Sequence, residues 1–362
     1  MNVTARKVVA GLALALVVAY PLIPGLNDKI ETVAGKKIGD SFPTIFIYGI
    51  LALALNVVVG YTGLLHLGIA AFFGIGAFAT GILTVGQYPF QFGFLPVLVV
   101  STLAAAALGC VLCVPTLRLR GDYLALVTLG FGLITVTALR NLQEITGGMQ
   151  TLNPIPPPQI PGFLTGPLEA IGLNLSWTED YRLFYYLTLG YLLLVFVLLR
   201  NLERSRLGRA WVALREDELA ATCMGLNAAR LKLLAFTLAA GLAGLAGSLY
   251  ATKMTNTTEP TRFDFQLSCT ILSCLILGGL GNRAGVLLGV FLVAGYDFLF
   301  APTADAWLQR NEMNPNDKGY LKFSMWNLAI FGMALILMMR FRSSGILPAT
   351  REGVAKPEKG AA

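Results

Sequence analysis

Ten apolar runs, most of them close to the length of one bilayer crossing, constrain this chain more than any other feature. A helix needs roughly 20 apolar residues to cross a hydrocarbon layer about 30 Å thick. The runs lie at about 8–24, 42–59, 63–86, 94–117, 122–140, 181–200, 231–251, 265–280, 284–300 and 323–340. Charged residues make up 13% of the chain, against roughly a quarter in soluble domains. The expected fold class is therefore an all-α polytopic membrane protein of about ten transmembrane helices, with broken or re-entrant segments. The first run follows Arg6 and Lys7 and has the look of a signal peptide. No small-x-small cleavage site leads into a secreted domain and another run follows at once, so it is expected to remain as the first span.

Basic residues set the orientation. The formal charge is +7, and in membrane proteins Lys and Arg gather on cytoplasmic connections. With ten spans, Arg6 and Lys7, Arg118 and Arg120 of LRLRGDY, the segment 200–232, Arg283 of GGLGNRAG, and Arg340, Arg342 and Arg351 all fall on one side. Both termini are then cytoplasmic. The connection 25–41 carries Lys29, Lys36 and Lys37 on the other side, accompanied by Asp28, Glu31 and Asp40. The organisation read from this is a transmembrane domain over 1–345, with a cytoplasmic loop at about 201–230 and an external loop at about 141–180. A charged tail over 346–362 is expected to be disordered. The external loop contains TGGMQTLNPIPPPQIPG, whose prolines forbid regular helix and favour fixed extended structure. It reads either as a connector or as a rigid surface for a soluble partner. A short helix is expected near Ala304 to Arg310.

Two glycine-dense stretches, 60–81 and 277–289, interrupt apolar blocks. Paired interruptions occur in repeat-built transporters, where broken helices free backbone groups to line a pathway. Glycines that merely let spans pack closely give the same pattern.

Catalysis finds little support. His66 is the single histidine, and the five cysteines form no CxxC pair; a metal cluster is not expected. Cys110, Cys113, Cys269 and Cys274 lie in apolar runs, and Cys223 lies in the polar stretch, where a cytoplasmic thiol stays reduced. No phosphate-binding GxxxxGK[ST] loop is present, so the chain does not hydrolyse nucleotide itself. Proton-driven carriers keep carboxylates within their spans; here only Asp122 and Asp297 come close, at span ends. The polar residues near mid-span are Asn56, Thr62, His66 and Thr128. The energy for transport is expected to come from outside this chain.

The polar stretch RNLERSRLGRAWVALREDELAATCMGLNAARLK, 200–232, holds seven basic and four acidic residues between apolar blocks. Its acidic residues stand where a helix begins, as the helix dipole favours. Ala220 and Ala221 keep one face narrow, and Gly225 supplies a terminating turn before the next helix. Such a helix fits a cleft on another protein, or it is a surface linker.

REDELAATCMG resembles the coupling loop of ABC importer permeases, with Glu218, Ala220, Ala221 and Gly225 at matching places. It departs in having Leu219 where the strict motif has Glu, and no I-x-L-P follows. Together with GYTGLLHLGIAAFFGIGAF, LRLRGDYLALVTLGFG, ITGGMQ, KLLAF, AGLAGSLYA and LGGLGNRAGVLLG, it resembles the branched-chain amino-acid permease family of LivM type, over about 45–345. The terminal RSSGILPA lacks a proline of the family's closing sequence.

The resemblance implies a permease subunit of the bacterial inner membrane. Its implied partners are a second homologous permease, two cytoplasmic ATPases that bind ATP and Mg, and a periplasmic binding protein delivering a branched-chain or other hydrophobic amino acid. No cofactor on this chain and no nucleic acid are implied. ATPase coupling is carried over to Arg215, Glu216, Asp217, Glu218, Ala220, Ala221 and Gly225. The translocation pathway is assigned to Gly60, Tyr61, Thr62, Gly63 and His66, the last standing where the family more often has Ser. Charge reversal at Glu218 or bulk at Ala221 is expected to abolish transport without affecting insertion. A urea or short-chain amide permease is the neighbouring alternative, and an autonomous secondary carrier is the alternative from another class.

Overall fold

The computed structural model describes residues 17–22, 38–89, 91–116, 122–158, 181–310, 322–342 and 345–347. Among them the regular structure is entirely helical. We number the principal helices α1 (Phe42–Asn56), α2 (Ile69–Thr84), α3 (Phe94–Thr116), α4 (Asp122–Asn141), α5 (Tyr181–Arg204), α6 (Arg206–Glu216), α7 (Glu218–Cys223), α8 (Ala228–Met254), α9 (Phe265–Gly278), α10 (Arg283–Gly295), α11 (Ala301–Arg310) and α12 (Asn327–Phe341). Seven helical segments among the described residues are long and apolar enough to cross a membrane, and α2 and α9 are shorter apolar helices. Most of the first expected span lies outside the described residues. Its last part, 17–22, rests on α5, where Tyr185 Oη donates to Val17 O at 2.6 Å.

Several boundaries differ from the sequence reading, each for a local reason. The run 63–86 is not one helix: 63–68 is irregular and α2 starts at Ile69. The apolar block after Arg283 continues through a π turn at Tyr296–Phe300 into α11, giving one segment Arg283–Gln309 in place of a separate short helix. Helix α5 runs on to Arg204, into the polar stretch, because nothing before Ser205 stops it. Of the expected tail, Ile346 and Leu347 are held: their N–H groups donate to Leu277 O and Gly278 O, each at 3.0 Å. Residues 348–362 lie outside the described residues.

Helices α1 and α8 form the centre. Of their most apolar windows, 89% and 72% are buried inside the protein, whereas the α12 window has nothing buried. One side of α8 packs on α2 and α3; the other side meets α1, which also touches α5, α9 and α10. The close approach rests on small residues, because between lipid-embedded helices packing replaces the hydrophobic drive available in water. Helix α8 supplies the run AAGLAGLAGS, 239–248. A Cβ on Gly247 would overlap Phe73 O and stand 2.9 Å from Ala77 N, and one on Gly244 would meet Ala105 of α3. Thr80 Oγ1 donates to Ser248 Oγ at 2.8 Å across the α2–α8 seam. Gly278, Gly285 and Gly289 let α9 and α10 meet in the same way.

The loop expected to be external is fixed over its described part, 142–158. Leu152 N donates to Thr257 Oγ1 at 3.0 Å, Thr257 N to Leu152 O at 3.2 Å, and Ile155 N to Thr255 O at 2.8 Å. At this end Lys253 Nζ donates to Asp40 O at 2.7 Å and to Thr44 Oγ1 at 2.6 Å, tying α8 to the start of α1.

The packing makes Gly247→Val a destabilising change, since overpacking costs about 1–3 kcal/mol and here the obstacle is backbone. Gly190 on α5 has open space around its would-be Cβ, so Gly190→Ala should be neutral or slightly stabilising. Thermal midpoints in detergent, followed by size-exclusion fluorescence, check the contrast.

Candidate functional site

The candidate site has two parts at one end of the bundle: the polar segment between α5 and α8, and the irregular stretch between α1 and α2. The polar segment folds as two short helices because each start has a side-chain cap. Ser205 Oγ accepts from Gly208 N at 3.3 Å to open α6. Asp217 Oδ1 accepts from Leu219 N at 2.8 Å and Ala220 N at 3.0 Å to open α7. Asn227 Oδ1 accepts from Arg230 N at 3.1 Å to open α8. Caps of this kind satisfy the orphan N–H groups of a first turn and contribute about 1 kcal/mol each. Gly225, with φ of +86°, makes the turn after α7.

Two links fasten these helices to the root of α8. Trp211 is buried and its Nε1 donates to Leu231 O at 2.9 Å. Lys232 is buried too, and its Nζ pairs with Glu218 Oε1 at 2.7 Å. A cation withdrawn from water this far requires such a partner. Glu218 is thus occupied inside the loop. Ala221 also faces inward at 5% exposure, so bulk at Ala221 would disturb the loop's own packing before it reached a partner. The exposed residues here are Arg215, Glu216, Asp217, Ala220, Thr222, Cys223 and Gly225, together with Leu219 at 64% and Met224 at 84% exposure. These last two were missed as site residues from the sequence. Their signal was present: two large apolar side chains in a polar loop.

The second part begins where α1 ends in a π turn, Val57–Tyr61. Gly63 has φ of +72°, a left-handed conformation natural to glycine, and regular helix resumes only at Ile69. Unpaired backbone groups among lipid-embedded helices cost several kcal/mol each, and four groups around this stretch find partners, three of them on distant elements. Leu64 N reaches back to Val58 O at 3.3 Å. Leu67 N donates to Thr128 Oγ1 of α4 at 3.1 Å, and Ala70 N to Ser268 Oγ of α9 at 3.2 Å. Arg215 Nη1, from the last turn of α6, donates to Gly60 O.

Gly60, Tyr61, Thr62 and His66 are buried, and Gly63 is exposed. Thr62 Oγ1 donates to Val58 O at 2.6 Å. The His66 ring packs 5.1 Å from Phe236, edge-on, and 5.8 Å from Phe72; its Nδ1 has no hydrogen-bond partner among the described residues.

The two glycine-dense stretches meet. Asn56 Oδ1 accepts from Gly281 N at 3.0 Å, and a Cβ on Gly60 would stand 2.9 Å from that same nitrogen. Glycines here do both things the sequence allowed: Gly60 and Gly63 belong to an interruption, whereas Gly74, Gly76 and Gly81 serve close packing. Arg283 Nε pairs with Glu203 Oε2 at 3.0 Å, joining the start of α10 to the end of α5 at this end of the bundle. Among the described residues no group of three or more His, Cys, Asp or Glu is placed to hold a metal ion.

Residues 38–339 match the family model described as branched-chain amino acid transport system / permease component. The chain is 38% identical over 329 residues to the high-affinity branched-chain amino acid transport system permease protein LivM of Escherichia coli K12, covering 86% of this chain and 72% of the relative. It is 37% identical over 315 residues to the LivM protein of Salmonella typhimurium, covering 84% and 68%. A protein of Methanocaldococcus jannaschii with the name probable branched-chain amino acid transport permease protein LivM is 22% identical over 346 residues, covering 83% and 90%. No solved structure matches the chain. With most of its length matched in these ways, the chain belongs to the branched-chain amino acid transport system permease family.

Proposed function

We propose that this chain is the pore-forming permease subunit of an ATP-driven importer in the bacterial inner membrane, carrying branched-chain or other hydrophobic amino acids. It crosses the membrane ten times with both termini in the cytoplasm, the first crossing being the run 8–24. The observation that supports this most is the capped α6–α7 segment, which offers Leu219 and Met224 outward while fastened inward to α8 and α1. A water-facing segment with that surface calls for a protein partner, and the family supplies the kind: two cytoplasmic ATPases. A second homologous permease completes the pore, and a periplasmic binding protein delivers substrate to the opposite end. ATP and Mg reside on the ATPases, and this chain binds no cofactor.

In the proposed cycle the ATPases close on ATP and displace α7. The stretch 60–68, including Tyr61, Thr62 and His66, changes its arrangement and opens the pathway; hydrolysis reverses the change. Such coupling requires that α7 be held differently in the two nucleotide states, since contact of equal strength in both shifts nothing. Glu216, Asp217, Ala220 and Gly225 form the rim around Leu219 and Met224, while Glu218 and Ala221 keep the loop in shape.

Uptake of labelled leucine into vesicles holding the assembled complex tests this reading. ATP-dependent uptake that requires the binding protein is expected; ATP-independent flux through this chain alone would instead make it a secondary carrier. In the same assay the double variant Leu219→Asp/Met224→Asp should lower uptake ~10-fold or more, since central apolar anchors often carry over 2 kcal/mol of an interface. Its abundance in the membrane should stay near normal. Unchanged uptake would remove the docking role from α7.

The Glu218–Lys232 pair makes a separate stability prediction. Glu218→Ala should leave Lys232 buried without its carboxylate and lower the thermal midpoint. Breaking a buried pair costs about 3–5 kcal/mol, and partial exposure of Glu218 reduces this to roughly 1–3 kcal/mol. Glu218→Ala/Lys232→Met should recover most of the loss, as melting in detergent will show.

A further inference from the structure

Arg215 differs from the other charged residues of the loop in where its side chain ends. Like Glu216 and Asp217 next to it, Arg215 is an exposed residue as a whole, but its guanidinium turns back to α1, where Nη1 donates to Gly60 O. Its stem lies beneath the left-handed Gly63, where an added Cβ would stand 2.8 Å from Arg215 Cγ. Both glycines around the helix interruption are therefore in contact with this one side chain.

The local hydrogen bonding explains why Gly60 O needs an outside donor. In a regular helix the N–H of Leu64 would serve it. Here that N–H bonds to Val58 O instead. The carbonyl left behind is buried with its residue, and an unpaired backbone group there is costly. The bond from Arg215 is accordingly one that the molecule keeps. A guanidinium suits the task, because its planar fork holds direction as well as charge.

The other links of the loop run elsewhere. Trp211 and Glu218 bind α6 and α7 to the first turn of α8, at Leu231 and Lys232. These three elements make one unit, and Arg215 joins that unit to the end of α1. Only Glu216 separates it from Asp217, the cap of α7.

We infer that Arg215 is a positioning residue that passes displacement of the α6–α7 segment to the helix interruption through the carbonyl of Gly60, touching neither a partner ATPase nor the substrate. The inference rests on the importer reading above. It separates Arg215 from its neighbours in the loop: they are assigned to the ATPase contact, and Arg215 to the link with the helix interruption.

The experiment uses the complete complex in liposomes and reads the amount of leucine transported per ATP hydrolysed. For Arg215→Gln, the complex should assemble and hydrolyse ATP at near the unaltered rate while leucine moved per ATP falls about tenfold, within the range of coupling between distant sites. Arg215→Lys should restore part of the ratio, since an ammonium supplies one donor without the fork. Gly63→Ala should lower the ratio as well, and Gly63→Ala/Arg215→Gln should be no worse than the more affected single variant, as expected for two changes to one link. A normal ratio in Arg215→Gln overturns the inference. Loss of ATPase subunits from the Arg215→Gln complex also overturns it, by placing Arg215 in the ATPase contact. A lower thermal midpoint with an unchanged ratio overturns it in favour of a purely structural role. If the unaltered complex shows no ATP-driven uptake, the importer reading fails and this inference fails with it.

Discussion

A backbone that leaves its helix among lipid-embedded spans has to find hydrogen-bond partners, because hydrocarbon offers none. That requirement governs residues 60–70, and the arrangement of the surrounding helices follows from how it is met. Thr128 of α4 serves Leu67, Ser268 of α9 serves Ala70, and Arg215 of α6 serves Gly60. Three elements from different parts of the chain therefore converge on one short stretch. Were any of them displaced, a buried polar group would be exposed to an apolar environment. The irregular stretch is for this reason held in part by bonds that belong to its neighbours. Such a segment has to follow when its neighbours move.

Small residues give the rest of the bundle the rigidity against which this movement would act. Along the α2–α8 and α3–α8 seams, glycine and alanine bring backbones into contact, and hydroxyl groups such as Thr80 and Ser248 bond across the gap. At the opposite end Lys253 closes α8 onto the start of α1. These ends of the two central helices are thus fixed to each other. Their other ends meet through the α6–α7 segment and Arg215. In the proposed cycle a push on that segment is taken up there, where the helix is already interrupted.

The sequence was legible where a feature depends on near neighbours. The apolar runs marked most spans within a few residues, Asp217 stood out as a helix start, and Gly225 as its end. The run 63–86 misled because Leu64, Leu65 and Leu67 are as apolar as the helix that follows. What interrupts it is the left-handed Gly63 and partners 61, 155 and 198 residues away along the chain, at Thr128, Arg215 and Ser268. No window of local sequence contains them. Arg215 was named from the sequence as a coupling residue, but its bond to Gly60 was hidden, because nothing local distinguishes it from the other arginines of the charged segment. Ala221 lies in the short helix expected there, but its burial was not legible, since a helix of six residues is too short for periodicity to settle its orientation.

The most direct test of the account is a pair of distances by spin labelling in the assembled importer, with and without a non-hydrolysable ATP analogue. One label goes on the exposed Cys223, one on Leu65→Cys in the irregular stretch, and one on Asp40→Cys just before the start of α1, the remaining cysteines being replaced. The 223–65 distance is expected to stay fixed while the 65–40 distance changes with nucleotide. A fixed 65–40 distance with a changing 223–65 distance would show the loop moving without the interruption, and would contradict it.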